Sequence, residues 1–321
     1  MTHTADVAPT GGRMPNDTAP STIGLRVLQG MGMGTADVIP GVSGGTVALI
    51  LGIYTRLIGA IRTLAQSPTA LLRRDVAAAG ERFRAVPWPF VLPVGVGMVL
   101  ALGLGSVVLP PLLETYPVET SALFFGLIVG SLSVPWSQAV DANGSASRTP
   151  LVALAVVFAV AAFLLTGLPE IVIDHPPLWR VFLSASVAIC AMILPGVSGA
   201  FLLLALGIYE PTLEAASDLD VPYVATFVAG AVVGLGAFSK LLSHLLEHRL
   251  AVTMAALTGL MVGALRVLWP WNEEGTLHGP DGSGEAVVAL LIGLVGFAIV
   301  RGLLLLGRRS GHPAEHTDAI Q

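Results

Sequence analysis

Two short stretches of this 321-residue chain combine residues able to hold an anion. The first reads Pro40-Gly41-Val42-Ser43-Gly44-Gly45-Thr46 and the second Pro195-Gly196-Val197-Ser198-Gly199. Proline removes a backbone donor and clashes with the preceding turn, while glycine adopts angles that other residues avoid. A helix that reaches either stretch is interrupted there. An apolar run follows each, so a new helix is expected to start near Thr46, its first NH groups and positive dipole end exposed to an anion. Gly44 and Gly45 would let backbone NH groups approach the ligand, with Ser43 and Thr46 adding hydroxyl donors. Gly196, Ser198 and Gly199 would supply a second half-site. The plainer reading of the glycines and serines is close helix packing.

Few charged groups stand inside apolar sequence. Asp37 lies beside the first break, and the corresponding position at the second is the apolar Met192. A carboxylate at membrane depth costs roughly 2.5–3.5 kcal/mol even on the forgiving insertion scale. Asp37 is therefore expected either to couple proton movement to transport or to cap a helix end. Arg266 lies in an apolar segment and Lys240 near the end of another, each able to pair with a phosphate or with Asp37; snorkelling to the interface is the alternative. Arg26 reads as an interfacial anchor and Glu210 as a solvated loop carboxylate. Trp88, Trp136, Trp179, Trp269 and Trp271 fall at segment ends, as an aromatic belt would place them.

The elements that must position these groups are membrane helices. The chain is 54% hydrophobic and 12% charged, half the usual charge content of a soluble protein, and its mean hydropathy is +0.80. A spanning helix needs about 20 apolar residues, and apolar segments run over 23–35, 45–64, 88–109, 119–138, 149–168, 178–194, 200–209, 222–244, 250–270 and 286–307. The pairs 23–35/45–64 and 178–194/200–209 are split by the two breaks and are expected to be re-entrant hairpins or discontinuous helices. The other six would be full crossings.

Other classes are excluded by counting. A net charge of -5 with a single lysine argues against a nucleic-acid partner. One cysteine, Cys190, allows no internal disulfide and no cysteine zinc cluster, and it reads as a packing residue. No phosphate-cradling Walker sequence occurs, so nucleotide-driven pumping within this chain is not expected. No cofactor or metal is implied.

The two breaks are copies. Ala36–Tyr54 and Ala191–Tyr209 are identical at 11 of 19 positions, 155 residues apart. Gly126–Trp136 matches Gly259–Trp269 at a spacing of 133, with Glu114 and Glu247 in the same register. Arginines gather at 62–84 (Arg62, Arg73, Arg74, Arg82, Arg84), at Arg148, at Arg249 and at Arg308/Arg309. Acids gather in the intervening connections, around Glu114/Glu119, Glu170/Asp174, Glu210–Asp220 and Glu273–Glu285. The positive-inside rule puts the arginine loops and both termini in the cytoplasm, and the two copies then have opposite orientation. The expected fold is all-α, a polytopic membrane protein built as an inverted repeat with two broken-helix hairpins and about six full transmembrane helices. Its expected parts are a disordered cytoplasmic tail at 1–21, a first repeat at 22–138 and a linking helix and loop at 139–177. A second repeat at 178–271, an outer loop with the final helix at 272–307 and a cytoplasmic tail at 308–321 complete it. The tail at 1–21 lacks the pattern of a signal peptide.

The repeated segments, with Pro-Gly-Val-Ser-Gly-Gly-Thr as the specific signature, resemble the polyprenyl-phosphate transporter family over nearly the whole span from 22 to 307. The resemblance implies a flippase that recycles undecaprenyl phosphate, the carrier lipid of cell-envelope synthesis, from the outer to the inner leaflet, with protons as a candidate coupling ion. Its partners would be that lipid and the bilayer. The residues themselves indicate an anion and no more. The second copy departs from the signature, with Ala200 and Phe201 in place of Gly45 and Thr46. Two other readings compete. Undecaprenyl-pyrophosphate phosphatases also carry duplicated Pro-Gly-x-Ser segments, but an arginine follows their serine, and here Gly44 and Gly199 stand there. A transporter or channel for a small anion is the other.

Overall fold

A computed structural model of the chain describes residues 20–38, 43–72, 76–168, 173, 175–195, 199–273, 276–280 and 282–309. Pro40, Gly41, Gly196 and Ser198 lie outside the described residues, as do both predicted tails apart from their edges. The described part is all-α except for one antiparallel pair of two-residue strands, β1 (Asn272–Glu273) and β2 (Thr276–Leu277).

The order before the second break is α1 (Pro20–Val38), α2 (Gly44–Ile50), α3 (Tyr54–Leu72), α4 (Val76–Ala85), α5 (Trp88–Thr115), α6 (Pro117–Ser131), α7 (Ser133–Asn143), α8 (Thr149–Leu165) and α9 (Leu178–Ile193). After it come α10 (Gly199–Ala205), α11 (Tyr209–Ser217), α12 (Val221–His248), α13 (Leu250–Ala264), the strand pair, and α14 (Ser283–Arg309). Four stretches are long and apolar enough to cross a membrane: Trp88–Gly105, Pro117–Asn143, Val221–His248 and Ser283–Gly302. Many of their apolar side chains point outward. Val99, Val233 and Leu290 are 68%, 55% and 63% exposed, a surface suited to lipid and not to water.

Several sequence expectations are corrected. Of the six expected full crossings, 149–168 and 250–270 form the shorter apolar helices α8 and α13. The 15 residues of α13 rise about 22 Å, less than a bilayer core of about 30 Å. The apolar run after each break stops again at a glycine, so each segment carries a turn beyond the break that the sequence reading did not include. Gly52 (φ +70°) and Gly207 (φ +76°) occupy the left-handed region, which favours glycine. Ile53 NH donates to the Ala48 carbonyl and Ile208 NH to the Leu203 carbonyl, both at the reach of a Schellman end. The expected arginine-rich loop at 62–84 is largely the helices α3 and α4. Arginine and alanine are strong helix formers, and the density of charge concealed that.

Small residues set the helix pairing, as is usual between membrane helices. A side chain at Gly97 of α5 would strike the Val27 carbonyl of α1, and one at Gly230 of α12 the Phe182 carbonyl of α9. Val27 and Phe182 stand 155 apart and Gly97 and Gly230 stand 133 apart, the spacings of the sequence copies. Likewise Gly126 of α6 meets the Gly293 carbonyl of α14, and Gly259 of α13 meets the Ala155 carbonyl of α8. The main core is one buried cluster that draws on α1, α2, α3, α5, α12 and α13. Ala48, Leu49, Ile53 and Tyr54 are buried there with Met254, Leu257 and Met261.

Candidate functional site

Ser43 ends the first break in an extended conformation (φ -125°, ψ 136°) and caps α2. Its hydroxyl oxygen accepts from Gly45 NH at 3.1 Å, and its carbonyl accepts from Thr46 NH at 2.9 Å. A serine cap satisfies NH groups that have no partner inside the helix. The Gly44 NH is taken by a second group: it donates to Asp37 Oδ1 at 2.6 Å. Asp37 is half-buried in the last turn of α1, whereas Ser43, Gly44, Gly45 and Thr46 are all buried.

The sequence pointed to open NH groups at Gly44 and Gly45. Both are occupied by internal acceptors, and one of those acceptors is a carboxylate. The reason is geometric. Asp37 stands seven positions before Gly44, and its carboxylate at the end of α1 reaches the first NH of α2.

The two breaks touch. The Ser43 hydroxyl donates to the Met192 carbonyl at 3.3 Å, and the Tyr54 hydroxyl to the Ile193 carbonyl at 3.2 Å. Both acceptors belong to the last turn of α9, where carbonyls have no helical partner. Gly45 makes this approach possible, since a side chain there would stand 2.8 Å from the Ile193 carbonyl oxygen. Nothing in the residue types marks Tyr54 as a binding residue. The signal that could have found it is the repeat, since a tyrosine closes both copied segments as Gly-Ile-Tyr. At the second break Pro195 is fully buried. Gly199 begins α10 beneath the Met192 side chain, which fills the place a Cβ would take.

The expected cations do not join this cluster through any described hydrogen bond. Arg266 lies just beyond α13, not within it, and donates from Nη1 to the Phe163 carbonyl near the end of α8 at 3.1 Å. Its guanidinium stacks on the Phe163 ring at 4.6 Å. Lys240 is exposed on α12, about two turns from the helix end. Arg301, at the end of the apolar stretch of α14, is a further arginine that the charge pattern of the connections does not single out, and it donates to the Ser133 hydroxyl at 2.8 Å. Trp269 and Trp271 do more than mark an interface. Their indole NH groups hold the His278 carbonyl and the Glu285 carboxylate, closing the connection before α14. Among the described residues no group of histidine, cysteine or acids could hold a metal ion.

The polar break, the apolar helices and the copied segments fit one family. The family described as VCA0040-like, undecaprenyl phosphate translocase-like, matches residues 33–300. This chain belongs to that family. It is 36% identical over 263 residues to the polyprenyl-phosphate transporter of Vibrio cholerae serotype O1, covering 82% of each protein. It is 29% identical over 302 residues to the polyprenyl-phosphate transporter of Staphylococcus aureus, covering 88% of this chain and 96% of the relative. No solved structure matches the chain. The family and both relatives are named for transport or translocation, not for hydrolysis, and the chain is not an enzyme.

Proposed function

We propose that this chain carries a polyprenyl phosphate, with undecaprenyl phosphate as the expected cargo, from the outer to the inner leaflet of the cell membrane. The observation that carries the reading is the Asp37 carboxylate on the Gly44 NH. An anionic oxygen already sits on a backbone donor next in sequence to the Ser43 cap, and a phosphate oxygen can take its place. Charge-assisted bonds to backbone NH groups are short and strong for both anions.

The exchange gives Asp37 a role. A carboxylate and a phosphate repel each other, so both cannot hold Gly44 at once. Protonation of Asp37 weakens its own bond and removes the repulsion, which admits the headgroup. Loss of the proton re-forms the bond and expels it. A proton gradient is thereby linked to headgroup exchange. Ser43 and Thr46 hold the phosphate with Gly44 and Gly45, and Pro40 and Gly41 keep the chain broken. The second break, between Pro195 and Gly199, is the expected opposite half-site. Arg266 gathers headgroups at the outer entrance and Lys240 near the cytoplasmic surface, while the isoprenoid tail stays in lipid.

The matching helix pairs support an inverted duplication, in which the hairpins enter from opposite sides and the halves rock about them. The arginine-rich connections and both termini then face the cytoplasm. The Ser43–Met192 and Tyr54–Ile193 bonds are the contacts that must slide as the halves rock.

The test is a leaflet-resolved assay of undecaprenyl phosphate in reconstituted vesicles, with and without a pH gradient. The expected result is lipid movement that the gradient accelerates. Phosphate release from the pyrophosphate lipid, or small-anion flux without lipid movement, would overturn the proposal.

A further inference from the structure

The copied hairpins are followed by helices that pack differently. After the first, α3 lies against α12 of the other half. Ile58 of α3 is 1% exposed and shares the main core with Leu242 and Leu246 near the end of α12. Arg62, one turn further along α3, pairs with Glu247 at 2.7 Å. At the spacing of 155, Ile58 corresponds to Leu213 and Arg62 to Ser217, both in α11. α11 instead packs within its own half, on α10 and α12. Leu213 is 53% exposed. Ser217 is exposed too, its hydroxyl donating to the Leu213 carbonyl of its own helix at 3.0 Å.

The long helices α5 and α12 differ in the same sense. They correspond at the spacing of 133, which sets Leu112 against Leu245 and Glu114 against Glu247. The end of α12 is covered, with Leu242 and Leu246 buried and Leu245 half-buried. In the matching stretch of α5 the described residues, among them Val108, Leu112 and Glu114, are exposed. α11 is also tied to α12. Only Asp218, Leu219 and Asp220 join the two helices. The Asp220 carboxylate accepts from Tyr223 NH at 3.2 Å, and the Thr212 and Tyr223 hydroxyls are paired at 2.9 Å. The end of α12 that α3 holds and the hairpin that stands uncovered are therefore parts of one body.

We propose that α3 on α12 is a closed cytoplasmic gate and that α11, with Leu213 and Ser217 uncovered, is the open outer gate of the same transporter. The structure is then its outward-facing state. In the opposite state α11 lies on the outer end of α5, with Ser217 beside Glu114, and α3 has left α12. The gates rest on the function and sidedness proposed above. An inverted duplication lets each half take up the packing that its copy shows, so one asymmetric state specifies the other. Packed interfaces switch between discrete arrangements of this kind. Burial of Ile58, Leu242 and Leu246 supplies the closure, since an exposed ion pair contributes little. Release of α12 by α3 frees its hairpin to tilt onto α5, and the two gates alternate.

The test is cross-linking of the full chain in vesicles. Cys190→Ser serves as the parent, so that introduced cysteines alone react. Arg62→Cys/Glu247→Cys and Glu114→Cys/Ser217→Cys are each treated with a short, reducible bifunctional thiol reagent. The cytoplasmic pair is expected to cross-link without substrate and to lose undecaprenyl-phosphate movement until the cross-link is reduced. The outer pair is expected to cross-link poorly alone and more readily when a short-chain polyprenyl monophosphate is present. Leu213→Cys, at an exposed position, gives a second reading that needs no cross-link. It should react with a membrane-impermeant thiol reagent added outside and be protected by the same lipid. Three results would each overturn the gates and leave the proposed function standing: undiminished transport by the cross-linked cytoplasmic pair, an outer yield that ignores the lipid, or unprotected Leu213→Cys. Wild type and parent that both move no lipid would overturn the function and the gates with it.

Discussion

At the first break a carboxylate meets a backbone donor, Asp37 on Gly44; at the second, the Met192 side chain covers Gly199. The residues correspond position for position, yet one pair is polar and the other apolar. The surroundings differ too. The helix after the first break sits in the main core, with Thr46 and Ala48 fully buried, whereas α10 contributes Leu202 to a cluster that includes Ala188 and Ala191. The described side-chain bonds between the two segments run from the hydroxyls of Ser43 and Tyr54 to the carbonyls of Met192 and Ile193. Among the described residues, the polar contacts at the copied segments are concentrated in the first. A buried polar group is costly unless partnered. The second copy acts as a platform of carbonyl acceptors that partners the first.

The comparison can be broken most directly at its polar centre. Asp37→Ala leaves the Gly44 NH without its acceptor and should cost about 1–3 kcal/mol of stability. Lipid transport should fall about tenfold or more if that interaction is lost in the transport cycle. Met192→Ala, at a position 46% exposed, should stay under about 1 kcal/mol and retain transport. Equal losses in the two variants would remove the asymmetry. Next in size is Gly45→Ala. The added methyl meets the Ile193 carbonyl oxygen at 2.8 Å, and overpacking of this kind costs about 1–3 kcal/mol. A lowered melting temperature in detergent, with parallel loss of transport, is expected.

Tyr54→Phe sharpens the contrast without changing shape. It removes the bond to the Ile193 carbonyl and should cost about 1–2 kcal/mol. Tyr209, its copy, makes no described hydroxyl hydrogen bond, and Tyr209→Phe should leave the melting temperature unchanged. The smallest effect belongs to the surface ion pair between Arg62 of α3 and Glu247 of α12, 2.7 Å apart with side chains 32% and 45% exposed. Arg62→Ala should cost less than about 1 kcal/mol, and high salt should erase the difference.

The fold class was legible because apolar runs and charge spacing are properties of the string itself. The copied segments were legible for the same reason, and the matching contacts Val27–Gly97 and Phe182–Gly230 follow their spacings. Three features were hidden. The bond from the Gly44 NH to Asp37 depends on how α1 and α2 sit against each other, which no periodicity encodes. Arg266 read as lying inside a helix, but α13 ends at Ala264 and the Arg266 guanidinium reaches across to Phe163. Arg26 of α1 and Arg56 of α3 both set their guanidinium over the ring of Phe90 in α5, which joins three helices that are separate in sequence. Arg26 alone had only the appearance of an interfacial anchor.

The most direct test is whether Asp37 holds the place of the phosphate in the first break. Affinity for a short-chain polyprenyl monophosphate would be measured from about pH 8 to about pH 5 for wild type and Asp37→Asn, a range in which a carboxylate can take up a proton. The ligand's own titration is common to both, so the ratio of the two affinities isolates the side chain. The expected result is weaker binding by wild type than by Asp37→Asn at the high end and convergence as the pH falls. A ratio that stays constant across the range, or loss of binding in Asp37→Asn at every pH, would contradict the exchange of carboxylate for phosphate.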